Sequence, residues 1–316
     1  MEEGVGEMPE WDGPAVTMTT VLYNSEASLP GYAAALKPSV ERGLVRLIAV
    51  DNDSPDGSAA LLGQLMPGVE MLSNGSNLGF ARGCNRAWPE VESRYWMLVN
   101  PDVEVDATGI ERLVRWMDER PGVGLATPRL RGPDGEAVPV AHPHDSLWRP
   151  PVEALRLHKL LSLRQRERRL LPGRASTPEI VNGWVPGAAL IARAEAVTTV
   201  GPLDERLFMY GEDREWCWRM ARAGWGVGVC AEVEFAHGRA VSARATWSEE
   251  ERARREVAGH LRATRLMRGP LWTRAFALLG GLGLLVDSLD PRRGEARSAR
   301  RARGRLYVRG ALGLER

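Results

Sequence analysis

Apolar and polar positions alternate in short blocks along the first part of the chain. Val16–Leu22, Val45–Val50, Val69–Leu72, Tyr95–Val99 and Val123–Ala126 are apolar, β-branched or aromatic runs bounded by turn formers. Such runs read as buried strands. Between them lie segments with helical spacing: Ser28–Leu36, Ala59–Leu65, Phe80 through Trp88, and Thr108–Met117. The last is the clearest, with Ile110, Leu113, Val114 and Met117 on one face. Strands and helices alternating at this pitch predict an α/β fold, with a mostly parallel, Rossmann-like sheet flanked by helices.

The pattern breaks at Pro128–Pro178, which is rich in Pro and Arg. Its middle, Val152–Leu171, reads as a basic helix. Order resumes at Val181, with a loop and strand over Asn182–Ile191, a helix over Asp213–Ala223 and a strand over Val227–Cys230. An Arg- and Glu-rich helix runs from Trp247 to about Met267. Ala275–Val286 is apolar, contains three glycines, and is only about half the length a bilayer-spanning helix needs. The arginine-rich Arg292–Arg305 follows. This tail is expected to pack as helices against the main body. The expected organisation is a flexible N-terminus over 1–14, a catalytic domain over 15–240 with an irregular insertion at 128–180, and a helical C-terminal extension over 241–316. The basic segments 152–171 and 275–305 are the alternatives for peripheral contact with a membrane.

Composition narrows the picture. The 316 residues are 44% hydrophobic and 26% charged, an ordinary globular balance. A net charge of +1 gives no general attraction to nucleic acid. Cys84, Cys217 and Cys230 are odd in number and far apart. They form neither a disulfide framework nor a metal spacing, which fits a reducing cytosol. Met1–Gly13 is acidic and polar, unlike a secretory leader. The expected location is cytoplasmic, with the inner face of a membrane as the peripheral option.

Candidate chemistry starts at Asp102. It lies in Asn100-Pro101-Asp102, directly after the Tyr95–Val99 strand. Open α/β sheets bind ligands just beyond the carboxyl ends of their strands. Pro101 lacks an N–H and stops the strand there. A hard oxygen ligand on a rigid turn suits Mg²⁺ or Mn²⁺ held against phosphate. Capping the next helix is the plainer role for Asp102, and Asp106 competes for it.

Five segments in this order resemble glycosyltransferase family 2, and in particular its rhamnosyltransferase-like branch. They are Val21-Leu22-Tyr23-Asn24, Asp51 to Ser58, Asn77 to Asn85, Asn100-Pro101-Asp102, and Phe208 to Asp213, with His237 following. The resemblance covers roughly residues 15 to 240. It implies an A-type glycosyltransferase fold and inverting, metal-dependent transfer of a hexose, such as rhamnose, from a dTDP- or UDP-sugar to a hydroxyl acceptor. It implies a donor side formed by Tyr23, Asn24, Asp51, Asp53, Asn77, Gly79, Phe80, Arg82, Asn85, Asn100 and Asp102. Asp51 would meet the imide edge of the base, with Asp53 as the nearby alternative, while Asp56 reads as turn chemistry. Arg82 would reach the diphosphate. Asp102 corresponds to the last carboxylate of the family's Asp-x-Asp metal motif. Asn100 replaces the first, so His237 and donor phosphates would complete the ion's shell. Asp213 would be the general base. Trp184, Gly187 and Glu212 would form the acceptor side, although Trp184 also suits a core position and Glu212 a helix cap.

His142-Pro143-His144-Asp145 has metal-like composition but lies in the irregular insertion and reads as a loop. A sugar nucleotidyltransferase would carry a glycine-rich loop after the first strand. Here Leu22-Tyr23-Asn24-Ser25 stands instead, with no glycine until Gly31. A dinucleotide-dependent dehydrogenase fails on the same ground. A catalytically degenerate nucleotide-sugar-binding protein is the non-enzyme alternative, and Asp102 together with Asp213 argues against it.

Overall fold

The computed structural model describes residues 13–148, 152, 179–238, 246–290 and 296–314. The basic segment expected at 152–171 lies, apart from Val152, outside the described residues. Strands β1 (Val16–Leu22), β2 (Val45–Asp51), β3 (Glu70–Ser73) and β4 (Tyr95–Val99) form the parallel half of a nine-stranded sheet. Helices α1 (Leu29–Glu41), α2 (Ser58–Leu65) and α3 (Phe80–Asn85) link them. Every residue of β4 is buried, as a strand covered on both faces requires.

The sheet continues through β5 (Val103–Glu104), β6 (Val123–Arg131), β7 (Ala137–Val138), β10 (Ala189–Arg193) and β11 (Gly226–His237) in the order β3-β2-β1-β4-β10-β6-β11-β5, with β7 beside β6. Strand β10 is antiparallel to both β4 and β6, so the second half is mixed. Strands β8 (His142–Pro143) and β9 (Gly183–Trp184) make a separate two-stranded ladder. Helix α4 (Ala107–Asp118) buries the predicted stripe of Ile110, Leu113, Val114 and Met117. Asp106 caps it by accepting from the Gly109 N–H at 2.8 Å, so Asp102 has no capping duty. Helices α5 (Ala194–Val200) and α6 (Glu212–Arg222) complete this part.

Helices α7 (Glu249–Arg268), α8 (Pro270–Asp287) and α9 (Ala296–Ala311) follow. They share an apolar cluster of Val257, Leu261, Phe276, Ala277 and Ala311, joined by Leu147 from the insertion. Helix α7 meets the main body backbone to backbone. A Cβ on Gly259 would lie 2.3 Å from the Tyr210 carbonyl oxygen, and one on Gly211 would lie 2.8 Å from that of Gly259. Helix α8 extends beyond the apolar run 275–286 at its start, and within that run Gly281 approaches the Gly304 backbone of α9 closely.

Candidate active site

The carboxyl ends of the parallel strands open into a cavity of about 280 Å³. Its wall draws on Tyr23 after β1, Asn52 after β2, the Asn77–Phe80 turn, Asn100–Asp102 after β4, Gly187 and Ala188 before β10, the Phe208–Asp213 approach to α6, and His237 at the end of β11. Thr246 and Trp247 close one side.

The cation-binding candidates meet through strand pairing. Strand β5 is only two residues long, and it pairs antiparallel with the tail of β11, Val103 opposite His237. The Gly238 N–H donates to the Asp102 carbonyl at 2.7 Å. This brings Asp102 Oδ1 and His237 Nε2 to 3.6 Å, with both side chains nearly buried. The pair is a hard carboxylate and an imidazole at a distance where one small cation could be shared. Among the described residues no group of three or more His, Cys, Asp or Glu side chains converges on one point. A cation at this pair therefore needs oxygens from a bound phosphate or water.

Asp213 sits at the start of α6 and keeps part of its surface open to the cavity. Its Oδ2 accepts from the Gly187 N–H at 3.0 Å and its Oδ1 from the Arg214 N–H at 2.7 Å. Burial raises its pKa, while the Arg214 charge and these two N–H groups oppose the rise. Glu212 differs. It is buried, and its Oε2 has no hydrogen-bond partner among the described residues. Burial first, and Asp213 second, push its carboxyl up to about 8. Two adjacent buried carboxylates do not both ionise readily. The proton belongs on Glu212, because Asp213 has the two N–H donors and the Arg214 charge beside it.

The donor-side turn is tightly held. Asn77 Oδ1 accepts from the Gly79 N–H at 3.0 Å, and the Phe80 N–H donates to the Phe208 carbonyl at 2.7 Å. Gly79 has φ +82°, and a Cβ there would lie 2.2 Å from the Phe208 oxygen. Only glycine tolerates both conditions. Buried Asn52 ties the neighbouring turns together, donating to the Gly79 carbonyl at 3.0 Å and accepting from Asn74 Nδ2 at 2.7 Å.

Ten residues expected in the site line the cavity: Tyr23, Asn77, Gly79, Phe80, Asn100, Asp102, Gly187, Glu212, Asp213 and His237. Asn24, Asp51, Asp53, Arg82, Asn85 and Trp184 do not. Asn24 donates to Thr246 Oγ1 at 2.9 Å and so holds the cavity's far side. Asp51 Oδ1 accepts from the Ser54 N–H at 3.0 Å. Arg82 points at Glu205, 3.6 Å away. Asn85 clamps Leu203 by a bond to each of its backbone groups. Trp184 already carries His142 stacked at 4.4 Å and the Arg214 guanidinium at 4.3 Å, which leaves little ring face for a sugar. Sequence reasoning missed Asn52, Tyr210, Thr246 and Trp247. Asn52 stood inside the Asp51–Ser58 segment, and Tyr210 preceded a glycine. Thr246 and Trp247 gave no signal beyond the Ser248 cap that follows.

His142–Asp145 joins a different centre. Asp145 accepts from Arg214 Nη1 at 2.7 Å and from Thr264 at 3.0 Å, and it lies 2.8 Å from His260 Nε2. His260 Nδ1 lies 2.6 Å from the Tyr307 hydroxyl. Burial opposes ionisation of Asp145, yet His260 and Arg214 hold its carboxyl well below the usual range. This buried network ties the insertion and the C-terminal helices to the residue beside Asp213.

Comparison with known proteins gives a consistent result. The family model described as Glycosyl transferase family 2 matches residues 18–171. An N-acetylglucosaminyl-diphospho-decaprenol L-rhamnosyltransferase of Mycobacterium tuberculosis is 30% identical over 240 residues, covering 71% of this chain and 76% of that protein. A low-salt glycan biosynthesis hexosyltransferase of Haloferax volcanii is 22% identical over 230 residues, covering 72% and 68%. Among solved structures, a mannosyltransferase from Pyrobaculum calidifontis in complex with GDP-Man and Mn²⁺ aligns with TM-score 0.55 at 13% identity, over 96% of this chain and 89% of that one. Glucosyl-3-phosphoglycerate synthase from Mycobacterium tuberculosis, in complex with Mn²⁺, UDP-Glc and phosphoglyceric acid, aligns with TM-score 0.53 at 16% identity, over 82% and 85%.

Proposed function

The chain belongs to glycosyltransferase family 2 and has the A-type glycosyltransferase fold, and on that premise we propose that it moves a hexose, with rhamnose the leading candidate, from a nucleoside diphosphate to a hydroxyl acceptor with inversion. The observation that carries this reading is one cavity holding Asp213 with two N–H donors and the Asp102–His237 pair. The M. tuberculosis rhamnosyltransferase supports the choice of sugar by similarity.

In this reading the acceptor oxygen attacks the anomeric carbon from the face opposite the diphosphate. The new C–O bond forms as the bond to the leaving phosphate oxygen breaks. Asp213, ionised, takes the hydroxyl proton, a contribution of roughly 10²–10⁴-fold. Glu212, protonated, donates a hydrogen bond to the acceptor. Gly187 keeps Asp213 oriented. The Asn77–Phe80 turn, Tyr23 and Asn52 hold the donor. Asp102 and His237 would hold a divalent ion, Mg²⁺ or Mn²⁺, which when bound supplies positive charge to the departing diphosphate. The Mn²⁺ in both solved complexes supports this assignment.

A thermal-shift panel tests the reading. Thymidine, uridine and guanosine diphosphates and their sugars are added with and without Mn²⁺. A donor-specific rise that Mn²⁺ enlarges is expected, by mass action. Asp102→Ala and His237→Ala should remove the Mn²⁺-dependent part alone. No response to any nucleotide would sink the assignment.

A further inference from the structure

Away from the cavity, α8 leaves a row of large apolar side chains uncovered. Leu271 is 78% exposed, Leu282 53%, Val286 48% and Leu289, just past the helix, 65%. Leu278 and Leu279 are also exposed. Positions 271, 278, 282, 286 and 289 recur at helical spacing, so they share one face. Thr273, Phe276, Ala277 and Gly281 on the other side are buried. The row spans roughly 27 Å at the helical rise. Among the described residues no helix is long and apolar enough to cross a membrane.

Helix α9 lies directly beside it. A Cβ on Gly281 would lie 2.8 Å from the Gly304 carbonyl oxygen, and one on Gly304 would lie 2.9 Å from that of Gly281. Helix α9 contains six arginines and no acidic residue. Arg300 and Arg303 are paired with Asp287 and Glu256. Arg301, Arg305 and Arg309 are exposed and follow each other at i, i+4 and i+8, hence on one face. Exposed Leu312 and Leu314 extend the hairpin's end.

We propose that the α8–α9 hairpin rests in the plane of an anionic lipid surface, with the α8 leucines in the acyl boundary and Arg301, Arg305 and Arg309 on headgroup phosphates. An apolar row on one helix, flanked on its neighbour by arginines that no acidic side chain pairs among the described residues, is what an interfacial anchor requires. A second copy of this chain fits less well. A two-fold contact through α8 would bring two arginine faces together, with no acid on α9 to offset them. The inference does not depend on which sugar or acceptor the cavity takes.

Co-sedimentation of the full chain with vesicles tests it, using phosphatidylcholine with and without phosphatidylglycerol. The chain should sediment with the anionic vesicles and much less with the neutral ones. Arg301→Ala/Arg305→Ala/Arg309→Ala should weaken that binding on the order of a hundredfold. Leu278→Glu/Leu282→Glu should abolish it. All five side chains are exposed, so circular dichroism and the melting midpoint should stay unchanged. No vesicle binding would overturn the proposal, as would equal binding to both vesicle types. Full binding by both variants would also overturn it and assign the contact elsewhere, such as the basic segment 152–171. If the leucine variant instead converted a dimer to a monomer with vesicle binding intact, the face would belong to a second copy.

Discussion

Replacing Glu212 with Gln should change how stability depends on pH. Glu212 is 7% exposed, one of its oxygens has no partner among the described residues, and its carboxyl moves from 4.5 to about 8 in the folded chain. The folded chain therefore holds a proton that the unfolded chain releases. The stabilisation is complete below the unfolded value and is withdrawn as pH rises from there to about 8. The loss accumulates at about 1.4 kcal/mol per pH unit, reaching roughly 3 kcal/mol at pH 7 and roughly 5 kcal/mol at pH 9. Gln has the same shape and never ionises, so the variant should escape that loss. Urea unfolding of both proteins at about pH 5, 7 and 9 measures the difference. The variant's advantage should grow towards alkaline pH by these amounts. Parallel pH profiles would refute the reasoning. A constant offset at every pH would reveal a packing effect with no proton behind it.

Three further outcomes follow from named contacts. Asp213→Asn should lower turnover by roughly 10²–10⁴ while costing only about 1–3 kcal/mol of stability, since the amide can accept from just one of the Gly187 and Arg214 N–H groups; steady-state transfer assays decide this, and undiminished turnover would displace Asp213 as base. Gly79→Ala forces a side chain at φ +82° into the Phe208 carbonyl. It should cost about 1–3 kcal/mol of stability and weaken nucleotide binding, both readable from one thermal-shift series. Asp145→Asn leaves Arg214 and His260 without their carboxylate and should destabilise by about 3–5 kcal/mol at neutral pH. Because the folded Asp145 carboxyl is held low, its contribution is present above the unfolded carboxylate value and fades as the pH falls below it. The variant should therefore lose less stability than the wild type on acidification below about pH 4, which acid unfolding followed by circular dichroism would check.

The parallel half of the fold was legible because each strand there is a short apolar run with a turn former at its end. The α4 stripe and the Asp106 cap were legible for the same local reason. The direction of β10 was not, since Ala189–Arg193 reads as a strand whichever way it runs. The two-residue β5 carries no periodicity at all, yet its pairing brings His237 to Asp102. Trp184 suited either the acceptor side or a core position, but the partners that occupy its ring come from the insertion and from α6. Arg82 and Asn85 lie on a segment from which Asn77, Gly79 and Phe80 line the cavity. The Arg82–Glu205 ion pair and the Asn85 hydrogen bonds to Leu203 depend on tertiary packing. Asp145 looked like loop chemistry, and its burial comes from α7, far along the chain. Local signals fix elements, whereas pairing across long separations fixes which side chains meet.

The pairing of β5 with β11 has a consequence for biosynthesis. Asp102 emerges from the ribosome early, in a half-sheet whose β4 edge is paired by β10, and whose Trp96 is packed by Trp216, only later. His237 arrives only after the insertion, β10 and α6 have been made. A nascent chain therefore holds the Asn77–Phe80 turn and Asp102 well before it has made His237, their neighbour in the cavity wall. The last strand of the sheet is thus the one that sets His237 opposite Val103 and beside Asp102, and a chain arrested short of residue 237 would lack that side chain altogether.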